Sequence, residues 1–388
     1  MNATGGKTPC RNDEAAAKPY RVLSLDGGGM RGIYTAAFLE RLLAQHAART
    51  KGPPLDLGLG FDLITGTSTG AIVGAAAAIG VPMTEIVTLY RDHGAKIFPH
   101  RIDGKLSAIF RALTGSRYVR EGDKALRKAL EDVLGGITLA EVYANRGISM
   151  AIPAIRMSTH KAWVFKKTAK SGPRDDHYPL ADICLASSAA PIFRSLAAID
   201  EPGGGGGGKQ IFCDGGLWAN NPIMVGFTDA LTNAAPGQPI EIFSLGTCPR
   251  PEGEHIVGDK VHRSMLGWGL GADVGPLSIS AQEFAYDNMA RLLANAMSEC
   301  GRSIRRVRFP NKPVSASMLP YLALDDSRVE AMDRLVQQAH TDADATRSAC
   351  DDPNDGDGQL IRAMLGSLPP LDPARTLRPA SSTTRLKE

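Results

Sequence analysis

Twice near its start, this chain runs a short apolar strand into a glycine turn and then into a helix. Arg21 to Leu25 (RVLSL) enters DGGGMRG at 26–32, and from Met30 to Thr50 the residues Ile33, Ala36, Ala37, Leu39 and Leu43 are spaced to share a helical face. Phe61 to Thr65 (FDLIT) enters GTSTG at 66–70, and the small-residue run AIVGAAAAIG continues as a helix. Few architectures accept that repetition. Strands alternating with helices lie side by side in a parallel sheet, with helices packed against it.

The rest of the chain extends this pattern. Residues 83–134 read as mainly helical, 146–167 as one or two strands, and 181–190 as a small-residue helix that stops before Pro191. Short strands are predicted at Ile211 to Cys213, Glu241 to Leu245 and 304–309, and helices at 278–299 and 325–347. Residues 203–208 are six consecutive glycines, which cannot pack and predict a flexible loop. Residues 1–18 read as a disordered leader, 19–348 as one domain, and 349–388, rich in Asp, Pro, Gly, Ser and Thr, as a flexible tail.

Composition excludes several classes of function. The formal charge of +3, from 44 basic and 41 acidic side chains, gives no electrostatic case for nucleic acid and no polybasic membrane anchor. Six scattered cysteines with no C-x-x-C pair predict neither a disulfide framework nor a zinc site, and fit a reducing compartment. The first residues lack the apolar stretch of a secretory signal. The longest apolar run, Ala71 to Val81, is about half of what a spanning helix needs. These features predict a soluble, cytoplasmic protein with no metal or cofactor, whose membrane contact is peripheral.

Three motifs carry the chemistry. Ser68 occupies G-x-S-x-G between an apolar strand and a helix, with Gly66 and Gly70 flanking it. A sharp strand-to-helix turn at this pattern exposes a strained serine and aims helix N–H groups at it. A plain small-residue turn is the alternative. The cluster Gly27, Gly28, Gly29, Met30, Arg31 and Gly32 lets successive N–H groups converge on an anion. It also matches the G-x-G-x-x-G of dinucleotide folds, but the expected acidic residue falls at Asp56, in a loop that ends no apolar strand. Asp214 follows the strand IFC and precedes Gly215 and Gly216. Its place suits a base, although Asp-Gly alone reads first as a turn.

Taken in order, DGGGMRG, GTSTG and DGG followed by NNP resemble the patatin-like phospholipases, as do SSAAPIF at 187–193 and EIFSLGT at 241–247. The resemblance extends over about residues 20–342. It implies a three-layer α/β/α fold with a central, mostly parallel sheet and a serine–aspartate dyad. Ser68 matches the family nucleophile, Asp214 its base, and the loop from Gly27 to Arg31 its oxyanion site. The implied activity is cleavage of fatty acyl esters of phospholipids without metal or cofactor. Bacterial members of about this size include effectors activated by cyclic nucleotides, so such an activator belongs among the expected partners. The six-glycine insert and the C-terminal stretch depart from the family pattern.

Other features stay open at this level. Phe98, Ile102, Leu106, Ile109, Phe110 and Leu113 recur at helical spacing beside basic residues, as in an interfacial lid or an ordinary packed helix. Arg302, Arg305, Arg306 and Arg308 predict a solvated edge strand. His255 and His262, which follow Asp214, permit an α/β-hydrolase triad as an alternative enzyme. A catalytically silent binding module on the same fold is a further alternative.

Overall fold

The computed structural model describes residues 18–98, 104–201, 208–248, 253, 256–265, 267–268, 274–310 and 312–377, with backbone alone for 104–117 and 260. Strand β1 (Tyr20–Leu25) leads through the glycine turn into α1 (Gly32–Thr50), and β2 (Leu63–Gly66) leads into α2 (Thr69–Ile79). Three helices follow: α3 (Met83–Ile97), α4 (Gly104–Leu134) and α5 (Leu139–Arg146). Then come β3 (Ser149–Arg156), β4 (Lys161–Lys167), α6 (Leu180–Ser187), β5 (Ala197–Asp200) and β6 (Lys209–Asp214). The chain closes with α7 (Gly216–Ala219), α8 (Ile223–Asn233), β7 (Ile240–Leu245), α9 (Val274–Glu299), β8 (Ile304–Arg308), α10 (Val329–Asp351) and α11 (Gly356–Gly366).

The strands form one eight-stranded sheet in the order β5-β6-β3-β2-β1-β7-β8, with β4 also paired to β3. Strands β3, β2, β1, β7 and β8 run parallel, β4 and β6 run antiparallel to β3, and β5 runs antiparallel to β6. Side chains alternate between two cores, as a period of two requires. Tyr20, Val22, Leu63, Ile240 and Ile242 pack with α8 and α9. Leu23, Leu25, Ile64, Phe243 and Leu245 pack with α1, α2, α3, α6 and α10. The sheet is therefore covered on both faces, in the three layers expected. Helix α2 is apolar on every side and every one of its residues is buried, as a helix without a polar stripe must be.

Several expectations need correction. Residues 349–377 are not a tail. Helix α10 continues through Asp351, and α11 buries Leu360, Ile361, Met364 and Leu365 on one face. The polar run before α11 is a turn and a cap, in which Asp355 accepts the Gly358 N–H at 2.8 Å. The chain then returns to α2, where the Leu377 N–H donates to the Ile79 carbonyl at 2.9 Å. Strand β8 lies at the sheet edge, but its arginines are not simply solvated. Arg305 pairs with buried Glu241, Arg306 with Asp287 and Arg308 with buried Asp26. Asp56 serves structure: it holds Arg146 bidentately at 2.7 and 2.8 Å, with both side chains out of solvent. Most of the leader and of the six-glycine run lies outside the described residues.

Candidate active site

The pairing around β3 explains why two distant motifs meet. Strand β4 pairs with β3 from Met150 to Arg156. Strand β2 pairs with β3 at Ser149 to Ala151, and β6 pairs with it at Ala154 to Arg156. Both ranges overlap that of β4, so β2 and β6 share the other edge of β3 and meet end to end. Strand β2 runs up to that junction and β6 runs down to it. The residue just beyond one strand end and the last residue of the other are thus brought together across a long stretch of chain: Ser68 and Asp214.

Ser68 stands between β2 and α2 with φ 53° and ψ −117°, a conformation that side-chain-bearing residues avoid. Close packing imposes the turn. A Cβ on Gly70 would meet the Leu25 and Asp26 carbonyls, and one on Gly66 would meet the Gly70 backbone. The Ser68 N–H donates to Ser187 Oγ at 2.9 Å, and Ser187 Oγ donates to the Pro153 carbonyl at 2.7 Å. Ser187, the last residue of α6, therefore ties the strained turn to β3.

The Asp214 carboxyl is buried, and the Ser68 side chain is near enough to favour its charged form. It also accepts the Gly216 N–H at 2.5 Å, and the Asp214 N–H is held by the Ala189 carbonyl at 3.1 Å. Burial pushes its pKa up to about 7. The Gly216 N–H, the positive charge of Arg194 and the nearby Ser68 hydroxyl act in the opposite direction and only partly offset burial. A serine hydroxyl against a carboxyl poised near neutrality can pass its proton directly, with no imidazole between.

The glycine loop faces the same junction. The Gly27 N–H donates to the Asn220 carbonyl at 2.9 Å, Met30 N–H to the Leu324 carbonyl at 2.8 Å, and Arg31 N–H to the Gly28 carbonyl at 3.1 Å. Those donors are spent on shaping the loop. Among the described residues, Gly28 and Gly29 keep N–H groups without a partner, so the five residues expected from sequence narrow to these two. Gly29 has φ +56°, and a Cβ there would strike the Leu324 carbonyl. Met30 is buried in the larger core and Arg31 is also buried. Gly32 lies against Thr69 and Tyr90 at the start of α1. Asn220 links this loop to the Asp214 loop, since its Nδ2 donates to the Gly27 carbonyl at 3.1 Å and to Glu283 at 2.6 Å.

Two ion pairs escaped sequence reasoning. Asp26, which opens the glycine loop, is buried and pairs with Arg308 at 2.6 Å. Burial raises its pKa and the guanidinium opposes that rise. Arg194 is buried near Asp214 and pairs at 2.6 Å with Asp123 of α4, whose other oxygen accepts the Ser195 N–H at 3.0 Å. The sole sequence signal was the position of Arg194 straight after SSAAPIF. His262 is exposed, and His255 lies outside the described residues. Of the lid stretch, Phe98 packs against the larger core, Ile102 is outside the described residues, and the side chains of 106–113 are likewise outside them.

A family model described as patatin-like phospholipase matches residues 23–227. A cGAMP-activated phospholipase from Pseudomonas aeruginosa is 31% identical over 280 residues, 70% of this chain and 74% of that protein. One of the same name from Escherichia coli is 36% identical over 297 residues, 71% of this chain and 76% of that protein. Patatin-like protein 2 from Oryza sativa subsp. indica is 25% identical over 350 residues, 82% of each chain.

Proposed function

Because this chain belongs to the patatin-like phospholipase family, it is a lipid acyl hydrolase, and we propose that Ser68 is its nucleophile and Asp214 its base. The observation that carries this reading is the meeting of the strained Ser68 turn and the buried Asp214 carboxyl where β2 and β6 end against each other, with burial pushing that carboxyl's pKa up to about 7. In the first step Asp214 takes the Ser68 proton as Oγ attacks the ester carbonyl carbon. The N–H groups of Gly28 and Gly29 receive the oxyanion. Asp214 returns the proton to the leaving alcohol, and the acyl group stays on Ser68. A water deprotonated by Asp214 then releases the fatty acid and restores the serine.

The substrate is a membrane phospholipid, met from the cytoplasmic side by peripheral contact. No described helix is long and apolar enough to cross a membrane. A cyclic nucleotide switches the enzyme on, a reading supported by the names of the P. aeruginosa and E. coli relatives. The test is fatty acid release from mixed phospholipid vesicles, with and without cGAMP, together with labelling by a fluorophosphonate. Wild-type protein labels and releases fatty acid, whereas Ser68→Ala does neither. Labelling that survives Ser68→Ala refutes the nucleophile, and turnover indifferent to cGAMP refutes the switch.

A further inference from the structure

Large apolar side chains stand in solvent on the segment whose Ala189 carbonyl holds the Asp214 N–H, on the turn after Asp214, and on helix α9, which holds Asn220. Ile192 is 71% exposed, Leu196 46%, Leu217 47%, Leu277 55% and Phe284 75%. Exposed apolar surface beside a binding site commonly marks an interaction surface. We propose that these residues form an apolar rim that seats the mouth of the site on the acyl-chain zone of a phospholipid bilayer. The inference rests on the lipid hydrolase reading and adds the surface that meets the lipid.

The first lip is the segment after α6. Its start is fixed by the bond from the Asp214 N–H to the Ala189 carbonyl, and its end by Asp123, which holds both Arg194 and the Ser195 N–H. Between them, the N–H groups of Phe193 and Arg194 both return to the Ala190 carbonyl and close a tight turn. Ile192 at the tip has φ 73°, a region that β-branched residues shun. Such strain persists only where the surroundings over-determine it, and it collects at functional sites. Asn or Gly would fit this position without strain, yet the chain places an isoleucine there and leaves it bare.

The second lip follows Asp214. Leu217 lies in the first turn of α7, three residues past the carboxylate, and its carbonyl accepts Gln282 Nε2 at 2.8 Å. Helix α9 is clamped there again by Glu283, which holds Asn220. Phe284 is the next residue, and Leu277 lies two turns earlier on the same face. Both lips are therefore anchored through hydrogen bonds to the groups that would do the chemistry.

A lipid surface fits this rim better than a second copy of the chain. The scissile ester of a phospholipid lies at the boundary between headgroups and acyl chains. Half-buried Ser68 reaches it only if water is excluded around the entrance, and apolar lips pressed into that boundary accomplish this. A second copy seated on the same lips would close the entrance.

The experiment compares wild-type protein with Ile192→Asn, and with Ile192→Asn combined with Leu217→Ser and Phe284→Ser. Three quantities are measured: co-sedimentation with phosphatidylcholine–phosphatidylglycerol vesicles at high salt, fatty acid release from those vesicles, and hydrolysis of dissolved p-nitrophenyl butyrate, with cGAMP present throughout. Vesicle binding and fatty acid release by the triple variant should fall on the order of a hundredfold. Hydrolysis of the dissolved ester should stay within about twofold of wild type, since no substituted side chain belongs to the dyad or the glycine loop. Ile192→Asn alone should fold at least as stably as wild type and lose part of the vesicle binding. Unchanged vesicle binding with ester hydrolysis intact overturns the rim alone. A changed oligomeric state with vesicle binding intact assigns the surface to a second copy and also overturns it. Wild-type protein that hydrolyses neither substrate overturns the parent reading instead.

Discussion

Replacing Asp214 by Asn separates stability from catalysis. The carboxyl titrates at about 7 in the folded chain, against an ordinary value of 3.8, because it is buried. Between those values the folded state keeps a proton that the unfolded state has released. Stability therefore falls as pH rises from about 4 to about 7 and is level above that. At about 1.4 kcal/mol per pH unit, the loss totals about 4 kcal/mol. Asparagine is neutral throughout, and its Oδ1 still accepts the Gly216 N–H. Asp214→Asn should thus exceed the wild type by about 4 kcal/mol at pH 8, with the gap shrinking by about 1.4 kcal/mol per pH unit below pH 7. Urea unfolding at pH 5, 6, 7 and 8 reads this directly. The same variant should lose several orders of magnitude in turnover, since an amide cannot take the serine proton. A stability gap that does not change with pH would refute the burial argument, and an active variant would refute the base.

Ser68→Gly and Ser68→Ala should both be inactive, but the glycine variant should be about 1–2 kcal/mol more stable by thermal unfolding, because φ 53° and ψ −117° suit glycine alone. Gly28→Ala should lower kcat about a hundredfold and also destabilise, since its methyl would meet the Thr247 side chain. Arg194→Gln should shift the acid limb of the pH–rate profile above its wild-type position near pH 7, as a positive charge beside Asp214 is lost; a lower rate with an unmoved limb would make Arg194 merely structural. His262→Asn should keep wild-type kcat/KM on a dissolved ester, and a thousandfold loss would restore the triad alternative.

The sheet was legible because strand, glycine turn and helix repeat locally, and the turn that carries Ser68 follows from its neighbours alone. Asp214 was less so: DGG by itself is a turn, and only the order of the three motifs, together with the family resemblance, singled it out. The partners of Asp26 and Arg194 were hidden, because Arg308 and Asp123 lie far away in sequence and no periodicity joins them. Helix α11 was misread because Asp, Pro and Gly mark a turn and a cap as readily as a tail, and the apolar face that decides between them is short. Strand β5, four residues with one buried side chain, carries too little pattern to be read.

One residue shows how the sheet makes room for the site. Pro153 lies inside β3, where a proline would ordinarily cost a ladder hydrogen bond. On β3 the N–H of Ser149 donates to Asp62 on the β2 side, and the N–H of Met157 donates to Ile211 on the β6 side. The odd-numbered residues thus direct their N–H groups to the edge that β2 and β6 share. The missing N–H of Pro153 falls in the interval between the last β2 pair, at Ala151, and the first β6 pair, at Ala154, where no strand is present to accept it. Its carbonyl takes the Ser187 hydroxyl, and Gly215 packs so closely against that carbonyl that a Cβ could not fit. The break in the ladder therefore leaves no donor unsatisfied. It opens the sheet where the Ser68 turn and the buried Asp214 carboxyl approach each other. Burial beside that opening raises the carboxyl's affinity for a proton, which suits the role of base proposed for it.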